Sequence, residues 1–149
     1  MSTPSIPPDI AQVLSRHPAR VVVHLRDIRA MIFATASEID GVGPLTETIK
    51  WGEPAYLTGK TRSGTTIRLG VSKLAPDRAA LFFNCRTNLI ENFRAHFADD
   101  FLFEGNRALI VPTLIQPVKT PLALCIRMAL TYHRTRTQGT STQAANGKG

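Results

Sequence analysis

The least generic segment of the chain is Thr48-Ile49-Lys50-Trp51-Gly52-Glu53-Pro54-Ala55-Tyr56. Gly52 and Pro54 both interrupt a regular strand, so we expect a bend between two extended stretches. The first stretch begins near Thr46 and alternates in the manner of a strand. Apolar residues recur at three- and four-residue steps before this segment and mainly at alternate positions after it. The segment therefore separates a helical part of the chain from a part made mainly of strands.

Two helices are predicted upstream of this segment. Pro7 and Pro8 suit the first turn of a short helix, which Pro18 then breaks. A longer helix is expected over about residues 19–40, because apolar residues recur there at three- and four-residue steps. Gly41 favours the end of this helix. Its buried face is predicted to consist of Val21, Val22, Leu25, Ile28, Ile32, Ala36 and Ile39.

Downstream of the segment, short extended stretches joined by short turns predict an antiparallel sheet. Residues 66–72 alternate between apolar and polar side chains, which is typical of a strand with one buried face. Residues 79–84 are apolar on both faces, which favours a central strand. Two shorter extended pieces are expected near 102–104 and 107–111.

Two further helices complete the prediction, one capped near Asn88 and one that begins at Thr120-Pro121. We therefore expect a single α+β domain in which helices cover an antiparallel sheet of about five strands. This domain is predicted to span residues 9–136, between a flexible lead over residues 1–8 and a disordered polar tail over residues 137–149.

Composition and charge limit the possible classes of protein. The chain has 149 residues, of which 43% are hydrophobic and 19% charged, so one folded domain is expected. Its formal charge is +7 and its pI is near 10.1. Four of the basic residues lie between Arg127 and the end with no acid among them, and removing them leaves +3. The excess is interpreted as a solvated basic tail or as a footprint for nucleic acid or another polyanion.

Other patterns bear on location and redox state. The uncharged stretch from Ala108 to Val118 is too short to span a bilayer and contains prolines, and no secretory signal precedes it. We therefore expect no membrane partner. Cys85 and Cys125 form no CxxC motif and are expected to be buried as small hydrophobic residues, which suits a reducing cytoplasm.

A candidate ligand site follows from the bend. Trp51 and Tyr56 are predicted to wall one concave cleft, and Lys50 and the nearby Arg68 would supply charge-assisted hydrogen bonds to a small polar or anionic ligand. The predicted ligand-binding residues are Lys50, Trp51, Gly52, Pro54, Tyr56 and Arg68. The alternative is that Trp51 and Tyr56 simply fill the core.

Nucleotide and metal motifs are weak. Gly59-Lys60-Thr61 lacks the earlier glycine of a P-loop and leads into a strand, so a hairpin turn is favoured. His96, Asp99, Asp100 and Glu104 could supply nitrogen and oxygen ligands to a metal ion, although a helix C-terminus with exposed charges is the favoured interpretation. No cofactor is expected. No nucleophile and base can be paired, so an enzyme is not indicated.

The run from Ile49 to Tyr56 resembles the K-W-G-x-P-A-Y signature of the YdhG-like family, number 1801 among the domains of unknown function. Other stretches of this chain also resemble stretches typical of the family, so the resemblance covers about residues 10–134. These stretches are Leu25-Arg26-Asp27-Ile28-Arg29, Ala36-Ser37-Glu38-Ile39, Leu81-Phe82-Phe83, the run from Gly105 to Pro112, and Pro121 to Tyr132. The enlarged basic turn from Lys60 to Thr65 departs from the family pattern.

The resemblance implies a compact α+β domain and no particular reaction. Some relatives are labelled iron chaperones by likeness to frataxin, which works through acidic surface residues, whereas this chain is basic. Three hypotheses follow: a non-enzymatic protein that binds a small ligand near Trp51, an iron chaperone that uses the carboxylates around His96, and a basic module that binds a polyanion through its turn and tail.

Overall fold

A six-stranded antiparallel sheet organises the computed structural model, which describes residues 3–134. The strands lie in the order β1-β2-β3-β4-β6-β5. In chain order the elements are α1 (Pro8–Leu14), α2 (Ala19–Glu38), β1 (Thr46–Lys50), β2 (Glu53–Leu57), β3 (Ile67–Ser72), β4 (Ala75–Phe82), α3 (Leu89–Phe97), β5 (Leu102–Glu104), β6 (Ala108–Ile110), the 3-10 helix Pro117–Lys119 and α4 (Leu122–Leu130).

The predicted fold class, an α+β domain with helices on an antiparallel sheet, is confirmed. The sheet has six strands within residues 3–134, one more than the approximate number expected, because the short β5 and β6 pair with each other and join β4. The predicted polar tail, residues 137–149, lies outside the described residues.

One face of the sheet packs against the helices. Alternate residues of each strand point to this side, as the period of two requires, and they form the main core with the apolar stripes of the helices. We call this side the covered face. Its buried strand residues include Tyr56, Ile67, Leu69, Leu81 and Leu109, and its helical partners include Ile10, Leu25, Ile28, Ile32, Phe93 and Ile126.

The opposite face has its own small apolar cluster. It consists of Ala75, Ala80, Phe82, Ala108 and Ile110, all of them strand residues. Because no helical residue between positions 3 and 134 joins this cluster, we call this side the open face. Gly70, which pairs with Ala80, adds no side chain to it.

A buried ion pair links α2 to β1 and β2. Arg29 lies on the inner side of α2 with 2% of its side chain exposed. Its guanidinium donates hydrogen bonds to both carboxylate oxygens of Glu47, at 2.6 and 2.9 Å. The Tyr56 hydroxyl donates to Glu47 Oε2 at 2.7 Å. The hydrogen bond to Glu47 raises the pKa of Arg29, and burial raises the pKa of Tyr56 above its usual range. Every polar group of this triad is therefore partnered, as burial requires.

The same arginine holds the N-terminal lead. The carbonyl oxygens of Pro4 and Ser5 accept hydrogen bonds from Arg29 at 2.8 and 3.2 Å. Residues 3–7 have no regular secondary structure, and α1 begins at Pro8 as the prolines predict. The lead is therefore attached to α2 through the guanidinium that binds Glu47.

The enlarged turn between β2 and β3 caps α4. The carbonyl of Ala129 accepts from Thr65 N at 2.9 Å, and the carbonyl of Leu130 accepts from Ser63 Oγ, also at 2.9 Å. A side chain on Gly64 would meet the backbone of these two helical residues at 2.5 Å. This turn therefore has a structural role, since it satisfies carbonyls that a helix end leaves free.

Removing the carboxylate of Glu47 should strongly destabilise the fold. A Glu47→Ala variant leaves Arg29 buried without its partner, which is expected to lower the free energy of unfolding by about 3–5 kcal/mol. Tyr56→Phe keeps the ion pair and should cost only about 1–3 kcal/mol. Urea unfolding of both variants tests this expectation. The expectation would be contradicted if Glu47→Ala lowered the free energy of unfolding by less than Tyr56→Phe does.

Candidate functional site

The segment from Thr48 to Tyr56 contains the turn of the β1–β2 hairpin. Lys50 pairs with Glu53, so Trp51 and Gly52 alone form the loop. Their φ angles are 56° and 76°, which makes the loop a type I′ turn. Glycine adopts this conformation freely, whereas a bulky residue such as Trp51 is strained by it. The pairing of β1 with β2 therefore holds the Trp51 backbone in a conformation that is unfavourable for this residue.

The expected cleft between Trp51 and Tyr56 is not formed, so that part of the site prediction is wrong. Trp51 is 88% exposed at the hairpin tip, whereas Tyr56 is fully buried and bonded to Glu47. A two-residue turn preserves the alternation of the strands, so Pro54 and Tyr56 point to the covered face while Lys50 and Glu53 point to the open face. Tyr56 fills the core, which is the alternative that the sequence left open.

Arg68 does lie on the same face as Lys50. Its guanidinium Nη1 donates to Glu53 Oε1 at 2.7 Å, and both side chains are about one quarter exposed. Gly70 makes room for this carboxylate, because a Cβ there would lie 2.5 Å from Glu53 Oε2. Burial raises the pKa of Glu53, and the charges of Arg68 and Arg107 oppose that rise.

Phe82 lies between two guanidinium groups on the open face. The Arg68 guanidinium carbon is 5.7 Å from the centre of its ring, and that of Arg107 is 5.1 Å from it. Arg107 comes from the turn between β5 and β6, and its carbonyl accepts from Phe83 N at 2.8 Å. Contact with a ring face restrains both arginines and leaves their N–H groups able to bind another anion.

We call Lys50, Glu53, Arg68, Phe82 and Arg107 the open-face cluster. It contains three cations and one carboxylate, so its local charge is positive at neutral pH. Planar guanidinium groups bind carboxylate and phosphate through paired hydrogen bonds, which makes binding of an anion the chemistry that this arrangement can perform.

The sequence identified only part of this cluster. The sequence analysis did not predict Glu53 and Arg107 as site residues. Glu53 lies within the segment from Thr48 to Tyr56 and directly opposite Lys50 in the hairpin. A two-residue turn places the residues on either side of it opposite each other and on the same face, so recognising the turn would have predicted that Glu53 lies beside Lys50. Arg107 reaches Phe82 through pairing of β4 with β6, which no local pattern reveals.

The candidate metal ligands are not brought together. His96 Nδ1 lies 2.8 Å from the Asn92 carbonyl and is therefore its hydrogen-bond donor. Glu104 accepts from Ser72 Oγ at 2.8 Å on the open face. Between residues 3 and 134, no group of three or more histidine, cysteine, aspartate or glutamate side chains could hold a metal ion.

The two cysteines differ in their surroundings. Cys125 is buried as expected, and burial raises its thiol pKa to about 12. Cys85 is exposed, contrary to expectation, because it follows the end of β4 rather than continuing the strand.

Two clefts lie away from the open-face cluster. One, of about 430 Å³, lies between the N-terminal lead and the end of α2, where Pro4, Phe33 and Leu45 help to line it. Another, of about 390 Å³, borders the turn after β2 and is lined in part by Arg62 and His133. The first cleft is mainly apolar, and none of the predicted ligand-binding residues lines it.

Comparisons with protein-family models, with curated proteins and with solved structures found no match. Membership of the YdhG-like family therefore stays a prediction. No helix within residues 3–134 is long and apolar enough to cross a membrane.

If Trp51 serves binding rather than folding, replacing it should increase stability. Asparagine accepts the left-handed conformation and is favoured in type I′ turns, so Trp51→Asn should raise the free energy of unfolding by about 0.5–2 kcal/mol. Thermal and urea unfolding measure this change. Gly52→Ala is the control and should destabilise the hairpin. A clear loss of stability in Trp51→Asn would show that the indole is structural.

Proposed function

We propose that this chain is a non-enzymatic protein that binds a small anionic ligand at the open-face cluster. The observation that carries the proposal is the placement of two guanidinium groups on Phe82 with one carboxylate beside them. Structural ion pairs match charge for charge, whereas this cluster has cations in excess. A ligand with a carboxylate or phosphate group supplies the missing negative charge.

Each residue of the cluster has a distinct role in this proposal. Arg68 and Arg107 bind the anionic group, and Phe82 keeps their planes oriented. Lys50 adds a flexible positive charge at the hairpin end of the site. The exposed indole of Trp51, next to Lys50 in the chain, offers an apolar surface for the rest of the ligand.

Glu53 acts in this proposal as an internal competitor for the ligand. Its carboxylate already occupies one side of Arg68, so an incoming anion must share or displace that bond. Protonation of Glu53 removes the competing charge. Because burial raises the pKa of Glu53, this protonation begins at a higher pH than for an exposed glutamate. Ligand affinity should therefore increase as the pH falls through the pKa of Glu53.

The exposed indole also favours a second candidate, a single strand of nucleic acid that stacks one base on Trp51 and lays its phosphates along the cations. The two candidates differ in their response to salt. A strand that contacts several phosphates loses affinity steeply as salt increases, whereas a ligand with one anionic group responds weakly. The small ligand is preferred, because the guanidinium groups converge on a single ring.

Loss of the two arginines tests the site directly. Inorganic phosphate and succinate are suitable probes, titrated by calorimetry at low ionic strength. Arg68→Ala with Arg107→Ala should weaken binding at least about 10-fold, since each charged hydrogen bond contributes about 1.5–3 kcal/mol.

The matched control is Arg26→Ala, which removes an exposed arginine from α2, on the covered side of the sheet. It should leave the affinity unchanged. Equal affinities in the double variant and the wild type would place the anion site elsewhere.

Glu53→Gln tests the competition. The amide keeps the shape of the side chain and removes its charge, so phosphate affinity should rise by about five-fold at neutral pH. The affinity for sulfate, an anion whose own charge stays constant, should no longer increase as the pH falls through the pKa of Glu53. Glu91→Gln, which alters an exposed carboxylate in the first turn of α3, is the control. A decrease in affinity in Glu53→Gln would mean that Glu53 helps to bind the ligand.

A further inference from the structure

A second surface combines exposed apolar side chains with positive charge. Leu114, Ile115, Val118 and Leu124 are 94%, 48%, 66% and 54% exposed, respectively. These four belong to the eight large apolar side chains that are exposed between residues 3 and 134, so half of that group falls within eleven positions. We call these four residues the apolar ridge.

The ridge is held firmly in this exposed position. Pro117 is buried in the middle of it, and the Pro117 carbonyl accepts from both Thr120 N, at 3.1 Å, and Thr120 Oγ1, at 2.6 Å. The backbone N–H of Lys119 donates to the Gln116 carbonyl at 2.9 Å. The last ridge residue, Leu124, lies in the first turn of α4, whose inner side packs into the main core. The exposure of Leu114 and Val118 is therefore built into the fold, although burying them would be favourable by the hydrophobic effect.

The charged residues of the stretch from Leu114 to Arg127 are both cations, while one carboxylate from outside it, Asp100, lies near enough to raise the pKa of Cys125 on the inner side of α4. No aspartate or glutamate occurs in the sequence after Glu104. Lys119 follows Val118 directly, and Arg127 lies one helical turn beyond Leu124 on the exposed side of α4. Both cations are exposed, so the ridge is an apolar surface bordered by positive charge.

We infer that the apolar ridge docks this protein onto the surface of an anionic lipid bilayer. Protruding leucine and valine side chains would enter the region between headgroups and acyl chains, and Lys119 and Arg127 would contact the anionic headgroups. The expectation of no membrane partner rested on the length needed to span a bilayer, which docking on its surface does not require.

The charge pattern disfavours a second copy of the chain as the occupant. A two-fold interface places the same patch against itself. It would therefore bring Lys119 and Arg127 of both copies close together, and residues 105–134 supply no carboxylate to offset these charges. An anionic lipid surface complements both properties of the ridge, and this inference does not depend on the proposed ligand site.

Vesicle co-sedimentation of the full chain tests the inference. Vesicles of phosphatidylcholine mixed with phosphatidylglycerol should bind the protein, and vesicles of phosphatidylcholine alone should bind it more weakly. Leu114→Asp with Val118→Asp should abolish binding to both. Lys119→Ala with Arg127→Ala should weaken binding only to the anionic vesicles, by about five-fold for each cation removed.

The matched control is Leu74→Asp, which replaces a leucine that is 72% exposed at the turn between β3 and β4. It should bind anionic vesicles as the wild type does, and circular dichroism confirms that each variant is folded, since every altered side chain is exposed. Absence of binding to anionic vesicles overturns the inference. So does an equal loss of binding in Leu74→Asp, or self-association in sedimentation velocity that Leu114→Asp abolishes, which would make the ridge a contact between copies.

Discussion

The buried pair of Arg29 and Glu47 is the interaction on which the arrangement of this protein depends. It joins α2 to β1, receives the hydroxyl of Tyr56 from β2, and holds the N-terminal lead through two carbonyls. A slip of one residue in β1 would move Glu47 to the open face and leave the guanidinium buried without a partner. The pair thereby specifies the register of the hairpin. That register places Lys50 and Glu53 on the open face, beside Arg68.

The elements were largely predictable, because their signals are local. The helix expected over residues 19–40 is observed as Ala19–Glu38, since its apolar spacing persists over several turns. Period-two alternation likewise located β3, and proline marked the start of α1. Arg29 carried no such signal, because a charged residue on the inner side of a helix depends on a partner eighteen positions away.

The site was predicted less well, for a geometric reason. Trp-Gly is not the usual sequence of a type I′ turn, so the segment suggested a broad bend with Trp51 and Tyr56 on one side. The two-residue loop instead keeps strict alternation and sends the two aromatic side chains to different surroundings. Glu53 and Arg107 complete the open-face cluster through contacts between strands, and such contacts become visible only when the order of the strands is known.

Binding of anions on the open face can be observed residue by residue with nuclear magnetic resonance during a phosphate titration. If the ligand binds there, the side-chain N–H signals of Trp51, Arg68 and Arg107 shift together along one saturating curve. Shifts confined to residues such as Phe33 and Leu45 would instead place the ligand in the cleft beside the N-terminal lead and would contradict the proposal.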